Sequence, residues 1–233
     1  MFYDSKVKFI NKLSCYKYLI MFDLASRVSG VCVWNLKEKR PEYTTVIKVS
    51  DTEDNKSADL MDKLRIFFMD FQKKTEGKWV GFTLIARELC PMQQGKFTTA
   101  KTLIALGKAH AVLDCFIANK GLEYYDLEGV APATTHAYFR KLKGLPAGAK
   151  VEKEDVRDYL VAEYGIDPKT TLDETDAIFL AKTFQDVFWD KELDEEIKEK
   201  KRHMKALKSP AAIRKVQDEI ERLKTLKTDW KGE

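Results

Sequence analysis

Tyr18–Phe22 is an unbroken run of five apolar residues that ends in a single carboxylate, Asp23. A run with no polar alternate predicts a strand buried on both faces, which needs packed layers above and below it. A turn-like segment, Leu24 to Gly30, leads into a second apolar run, Val31–Trp34, so the pair reads as a hairpin. A charge at the end of a central strand costs free energy unless it is paired or binds a metal. Asp23 is therefore the first candidate metal ligand, and its partners must come from elsewhere in the chain.

At 233 residues, 44% hydrophobic and 33% charged, the chain can bury one sizeable core and carry an appendage. A net charge of +4 permits nucleic-acid binding without arguing for it, because local clustering matters more than the sum. The cysteines, Cys15, Cys32, Cys90 and Cys115, form no CxxC pair and have no His at ligand spacing, which speaks against zinc. Cys32 and Cys115 sit in apolar runs and read as buried thiols, and so few cysteines predict a reducing compartment. The charged N-terminus is no signal peptide, and no run of roughly 20 apolar residues predicts a span. The expectation is a cytoplasmic protein, in a bacterium, a phage-infected host or an organelle, with no membrane partner.

Strands are predicted at Lys17–Asp23, Gly30–Leu36 and Tyr43–Val49, an antiparallel meander. Ser57–Lys74 has Leu60, Leu64, Phe67, Phe68 and Phe71 at helical spacing. Lys78–Ala86 reads as a fourth strand ending at Arg87 and Glu88, Thr98–Asn119 as a long helix stopped by Gly121, and Leu122–Val130 as a fifth strand. Short helices are expected at Thr134–Leu142, Glu152–Tyr164 and Leu172–Val187. This order predicts an α/β domain, a mixed five-stranded sheet flanked by helices, over residues 1–189. Beyond Trp189 the chain turns densely charged. Ser209-Pro210 is a helix start signal, so 190–233 reads as a helical extension: two helices with a break at Ser209.

Four carboxylates stand out: Asp23 and Glu88 at strand ends, and Asp173 and Asp176 on the Leu172–Val187 helix. The last two are three residues apart and share a helix face. Asp173 and Glu174 also have an ordinary explanation as acids at a helix N-terminus. Asp176 has less of one, since the apolar run Ala177–Ala181 follows it at once. Converged, the four make a hard oxygen site suited to Mg²⁺ or Mn²⁺, and two such ions serve in-line phosphoryl displacement. Kept apart, they are helix caps and solvated acids. The pattern leaves both readings open.

The segment Asp23-Leu24-Ala25-Ser26-Arg27-Val28-Ser29-Gly30 resembles the first motif of the RuvC family of Holliday-junction resolvases, an aspartate on the first strand followed by a Ser-Arg turn to Gly. Glu88 matches the family's glutamate, Pro132 its proline after the fifth strand, Lys153 its basic residue entering a helix, and Asp173 with Asp176 its final Asp-x-x-Asp. The resemblance covers residues 17–186 and implies an RNase H-like fold with catalytic and metal-binding roles for Asp23, Glu88, Asp173 and Asp176. It also implies two Mg²⁺ or Mn²⁺ ions, a water nucleophile, and a homodimer that nicks opposite strands of branched DNA. Lys101, Lys108, Arg140, Lys141, Lys143 and Lys153 are candidate phosphate contacts, with a solvated surface as their ordinary explanation. The chain departs from the family where Leu24-Ala25 replaces Pro-Gly, where Pro91 and Met92 replace an aromatic, and in the extension. Two rivals share the acids: a broader branched-DNA, flap or hybrid nuclease, and a non-catalytic DNA-binding scaffold. An ATPase on a related fold would need glycine-rich phosphate loops that the chain lacks.

Overall fold

The computed structural model describes residues 16–50, 55–77, 83–89, 99–120 and 132–227. Strands β1 (Tyr18–Asp23), β2 (Val28–Asn35), β3 (Arg40–Lys48) and β4 (Thr83–Arg87) form one sheet in the order β3-β2-β1-β4. β1 pairs antiparallel with β2, Asp23 opposite Gly30, and parallel with β4, Phe22 opposite Arg87. The predicted meander is therefore present, extended by a parallel strand. Four strands are found among the described residues. The expected fifth, Leu122–Val130, lies outside them, as do Cys15, Cys90, Pro91, Met92 and Trp230.

The sheet is buried on both faces because its central strands alternate between two cores. Tyr18, Ile20, Phe22, Val31, Val33 and Ile85 point to one side. There they meet Leu60, Leu64, Phe67, Phe68 and Phe71 of α1 (Lys56–Lys74), together with the buried stripe of α2 (Ala100–Lys120). Leu19, Met21, Cys32, Trp34, Leu84 and Ala86 point to the other side. That side is covered by α3 (Pro132–Leu142), α4 (Lys153–Tyr164) and α5 (Leu172–Thr183). Alternation within an all-apolar strand is what two apolar layers demand.

Two expectations for α2 are corrected. Its buried residues are Ala109, His110, Leu113, Phe116 and Ile117, a stripe that leaves Cys115 exposed. The helix is also long and apolar enough, by length and composition, to cross a membrane. Its stripe joins the α1 core in the fold described here. His110 is buried, and burial, seconded by the charge of Arg87, pushes its imidazole down to about 4. It is a neutral core residue at pH 7.

α5 begins at Thr171, whose hydroxyl accepts from the Glu174 amide while the Glu174 carboxylate accepts from the Thr171 amide, a complete capping box. The helix was expected to run as one piece to Val187. Instead its last stretch, Phe184–Trp189, widens into a π-helix. Trp34 Nε1 donates to Gln185 Oε1 at 3.0 Å, and Asp186 accepts from Lys182 Nζ at 3.0 Å and from the Tyr138 hydroxyl. These buried side chains tie the widened turn to β2 and α3.

α6 (Asp190–Ala206) and α7 (Pro210–Leu226) form the expected hairpin, broken where Leu207 is extended and Ser209 precedes Pro210. Ser209 occupies the cap position, but its side chain makes no capping hydrogen bond. The base of the hairpin is no appendage. Leu193, Ile197, Ile220 and Leu223 are buried in the same core as Trp189, Phe184 and Tyr16, and Lys39 Nζ of the β2–β3 turn donates to the Lys227 carbonyl.

Candidate acidic pocket at the β1–β4 edge

Strand parity decides where the acids go. Asp23 has the parity of Leu19 and Met21, and Glu88, next after β4, has the parity of Leu84 and Ala86. Both therefore aim toward the α5 side. The Glu88 amide donates to the Phe22 carbonyl at 3.1 Å, which extends the parallel ladder and sets the two acids side by side.

Gly30, opposite Asp23 on β2, lets α5 come close. A Cβ there would lie 2.0 Å from the Asp173 carbonyl oxygen and 3.2 Å from the Ala177 Cβ. With backbone against backbone, the first turns of α5 lie over the end of β1. Asp173 and Asp176 are thereby carried to the strand ends. Glu174 is turned away into its capping box and also accepts from Thr44 Oγ1 at 3.3 Å.

The result is a cavity of about 220 Å³ whose wall includes Asp23, Glu88, Asp176, Lys153, Thr135 and His136. Asp173 is not on that wall, yet its charge is felt by both Asp23 and Asp176. Burial first, then the charges of Asp176 and Asp173, push the Asp23 carboxyl up to about 7, against the pull of Lys153. Burial, followed by the charges of Asp23 and Asp176, pushes Glu88 up to about 8. Asp176 is raised by burial and by Asp173, while the hydrogen bond and charge of Lys153 pull it down.

Lys153, at the first position of α4, forms an ion pair with Asp176 Oδ2. Burial works to lower its ammonium, but the Asp176 hydrogen bond and charge, with Asp23 and Asp173 behind them, carry it above its ordinary value. It is the counter-ion of Asp176, and its charge also favours the ionised forms of Asp23 and Glu88. Sequence reasoning had placed Lys153 among the phosphate contacts and had not seen it as a counter-ion. Its signal was its position at the start of a helix, where an acid would be the ordinary choice. Pro132 is the first residue of α3, the helix that brings Thr135 and His136 to the cavity, and the strand it was expected to close lies outside the described residues.

Among the described residues no group of three or more His, Cys, Asp or Glu side chains grips a common point as a ready metal cage. Asp23, Glu88 and Asp176 line a shared cavity. The donor chemistry fits a hard divalent cation. Asp23, Glu88 and Asp176 offer only carboxylate oxygens, and Asp23 and Glu88 are raised by burial and by neighbouring acids, a repulsion that such an ion relieves.

The remaining candidates are not gathered there. Lys101 and Lys108 are exposed on α2. Arg140 donates to the Ala149 carbonyl at 3.1 Å, Lys143 lies 5.1 Å from the centre of the Tyr159 ring, and Lys141 is exposed at the end of α3.

No family description and no curated protein sequence matches the chain. Among solved structures it is similar to Thermus thermophilus RuvC in complex with a Holliday-junction substrate, at TM-score 0.49 and 13% identity over 71% of this chain and 91% of that one. It is similar to another Thermus thermophilus RuvC structure at TM-score 0.49 and 16% identity, over 71% of this chain and 92% of that one.

Proposed function

We propose that the chain is a divalent-metal-dependent endonuclease that resolves four-way DNA junctions by paired phosphodiester hydrolysis. The observation that carries this reading is the convergence of Asp23, Glu88 and Asp176 on one cavity, with Asp23 raised to about 7 and Glu88 to about 8 by burial and then by the neighbouring acids. Buried acids that repel one another are an unstable arrangement unless a cation belongs among them.

In this reading Asp23 would hold the ion together with Glu88 and the two α5 acids. Glu88 and Asp176 complete the wall, and Asp173 joins through the same helix end. Mg²⁺ or Mn²⁺ bound there would supply charge to the phosphate oxygens and acidity to a water. Water attacks phosphorus in line, the O3′–P bond breaks, and the proton lost by water restores the 3′-hydroxyl, leaving a 5′-phosphate. Lys153, released from Asp176, has its ammonium free at the cavity wall for the phosphate. A homodimer supplies the second pocket for the opposite strand.

The test is cleavage of a synthetic four-way junction beside a linear duplex and a flap, with and without Mg²⁺, by wild type and Asp23→Asn. Paired symmetric nicks on the junction, lost in the variant by at least about a hundredfold, are expected. Equal cutting of every branched form would remove the junction claim and leave a general branched-DNA nuclease. Binding without cutting would put a non-catalytic scaffold in its place.

A further inference from the structure

The α6–α7 hairpin has its charge sorted along its length. Its base, Asp190–Glu199, holds six acids and two lysines. From Lys201 to Gln217, around the tip, there are six Lys or Arg residues, His203 and no acid. The two ends also treat their cations differently. At the base, Lys198 pairs with Glu195, Lys200 with Glu219, Lys224 with Glu221 and Lys227 with Asp194, at 2.7–2.9 Å. At the tip, Lys201, Arg202, Lys205, Lys208, Arg214 and Lys215 are all exposed, and none closes an ion pair with another described residue.

The tip also stands away from the body. Ile197 is the last buried residue of α6, and Ile220 the first of α7. The nine helical steps from Ile197 to Ala206 span roughly 14 Å at about 1.5 Å per residue, and on α7 the last side chain packed against the core is Val216. α7 starts at the tip with no acid in its first turn, so its amide dipoles add to the positive field.

We propose that this tip is a second nucleic-acid contact, gripping the phosphate backbone without reading sequence. An unneutralised set of cations on a protruding element matches a polyanion. A lipid surface is disfavoured, because no large apolar side chain is exposed on the tip to enter it. A protein partner is disfavoured because Lys201–Gln217 contains no aromatic anchor. The contact goes beyond the nuclease reading and does not depend on a working acidic pocket.

The experiment measures binding of a labelled duplex and a labelled four-way junction by Asp23→Asn protein in EDTA, from about 50 to 200 mM salt. The variant carries K201Q, R202Q, K205Q, K208Q, R214Q and K215Q; K198Q/K224Q at the base is the control. The six substitutions are expected to reduce the slope of log affinity against log salt by about three to five, at roughly 0.9 per phosphate contact, and to weaken binding at least about 30-fold. K208Q/R214Q/K215Q alone, which leaves α6 intact, should give about half that change and covers the case in which the larger variant fails to fold. A slope and affinity equal to the control's would overturn the proposal. So would retention of DNA binding with loss of binding to anionic vesicles or to a polyglutamate peptide. Because no cleavage is read, a failure of the nuclease reading leaves this result standing.

Discussion

The Asp23 carboxyl is held near 7 and Glu88 near 8, well above ordinary carboxylates. A folded state that binds protons more tightly than the unfolded chain gains stability at low pH. That gain is complete below about 4 and is lost as pH rises through about 7 and then 8. In EDTA the melting temperature should therefore fall by several degrees between pH 6 and pH 8.5. Asp23→Asn should flatten the slope, and Mn²⁺ added to wild type at pH 8 should restore most of the loss; calorimetry reads all three. A melting temperature that does not fall over this range would show that the acids are not strained by one another. Asp23 and Asp176 stood out in the sequence because each borders an apolar run, Asp23 as a lone charge and Asp176 as the last of a short acidic stretch. The counter-ion role of Lys153 did not. Nothing local links it to Asp176, 23 residues on, and only the packing of α4 on α5 brings them together.

At the scale of elements, the site depends on how closely α5 approaches β2. Gly30→Ala would drive a methyl to 2.0 Å from the Asp173 carbonyl oxygen, and neither backbone can yield cheaply. The expected cost is about 3 kcal/mol or more, in the range of severe overpacking, read as the shift in urea midpoint. Displacement of α5 should also loosen the Lys153–Asp176 pair. An unchanged midpoint would mean that the two elements sit farther apart than described. The strands and helices themselves were readable, since an unbroken apolar run marks β1 and helical spacing marks α1. The π-helix at Phe184–Trp189 was not, because its widening answers Trp34, Tyr138 and Lys182, which are distant in sequence or on the preceding turn. Cys115 was misread because an apolar neighbourhood in sequence does not fix which side of a helix faces inward.

For the whole molecule, the hairpin beyond residue 189 shares a buried core with the sheet and its helices. Leu193, Ile197, Ile220 and Leu223 are each buried to within a few per cent of fully. At about 2 kcal/mol per buried side chain, they contribute on the order of the entire stability of an ordinary domain. A chain ending at Trp189 should therefore melt at least about 10 °C lower or aggregate, with dye binding to newly exposed apolar surface. A truncated chain that melts with the full one would make the hairpin a separate unit. The sequence announced the hairpin through its charge density and its Ser-Pro break, and hid its anchorage because an apolar stripe does not name its partner.

The alternation of β1 has one more consequence. Because its side chains take turns between two layers, sliding β1 by one residue against its neighbours would swing Asp23 out of the α5 side and into the phenylalanines of α1. Apolar residues on both faces would tolerate that slip, since each layer would simply exchange one greasy side chain for another. The carboxylate does not tolerate it. A carboxylate buried among phenylalanines is costly, so Asp23 disfavours that misaligned register, whatever chemistry it later performs.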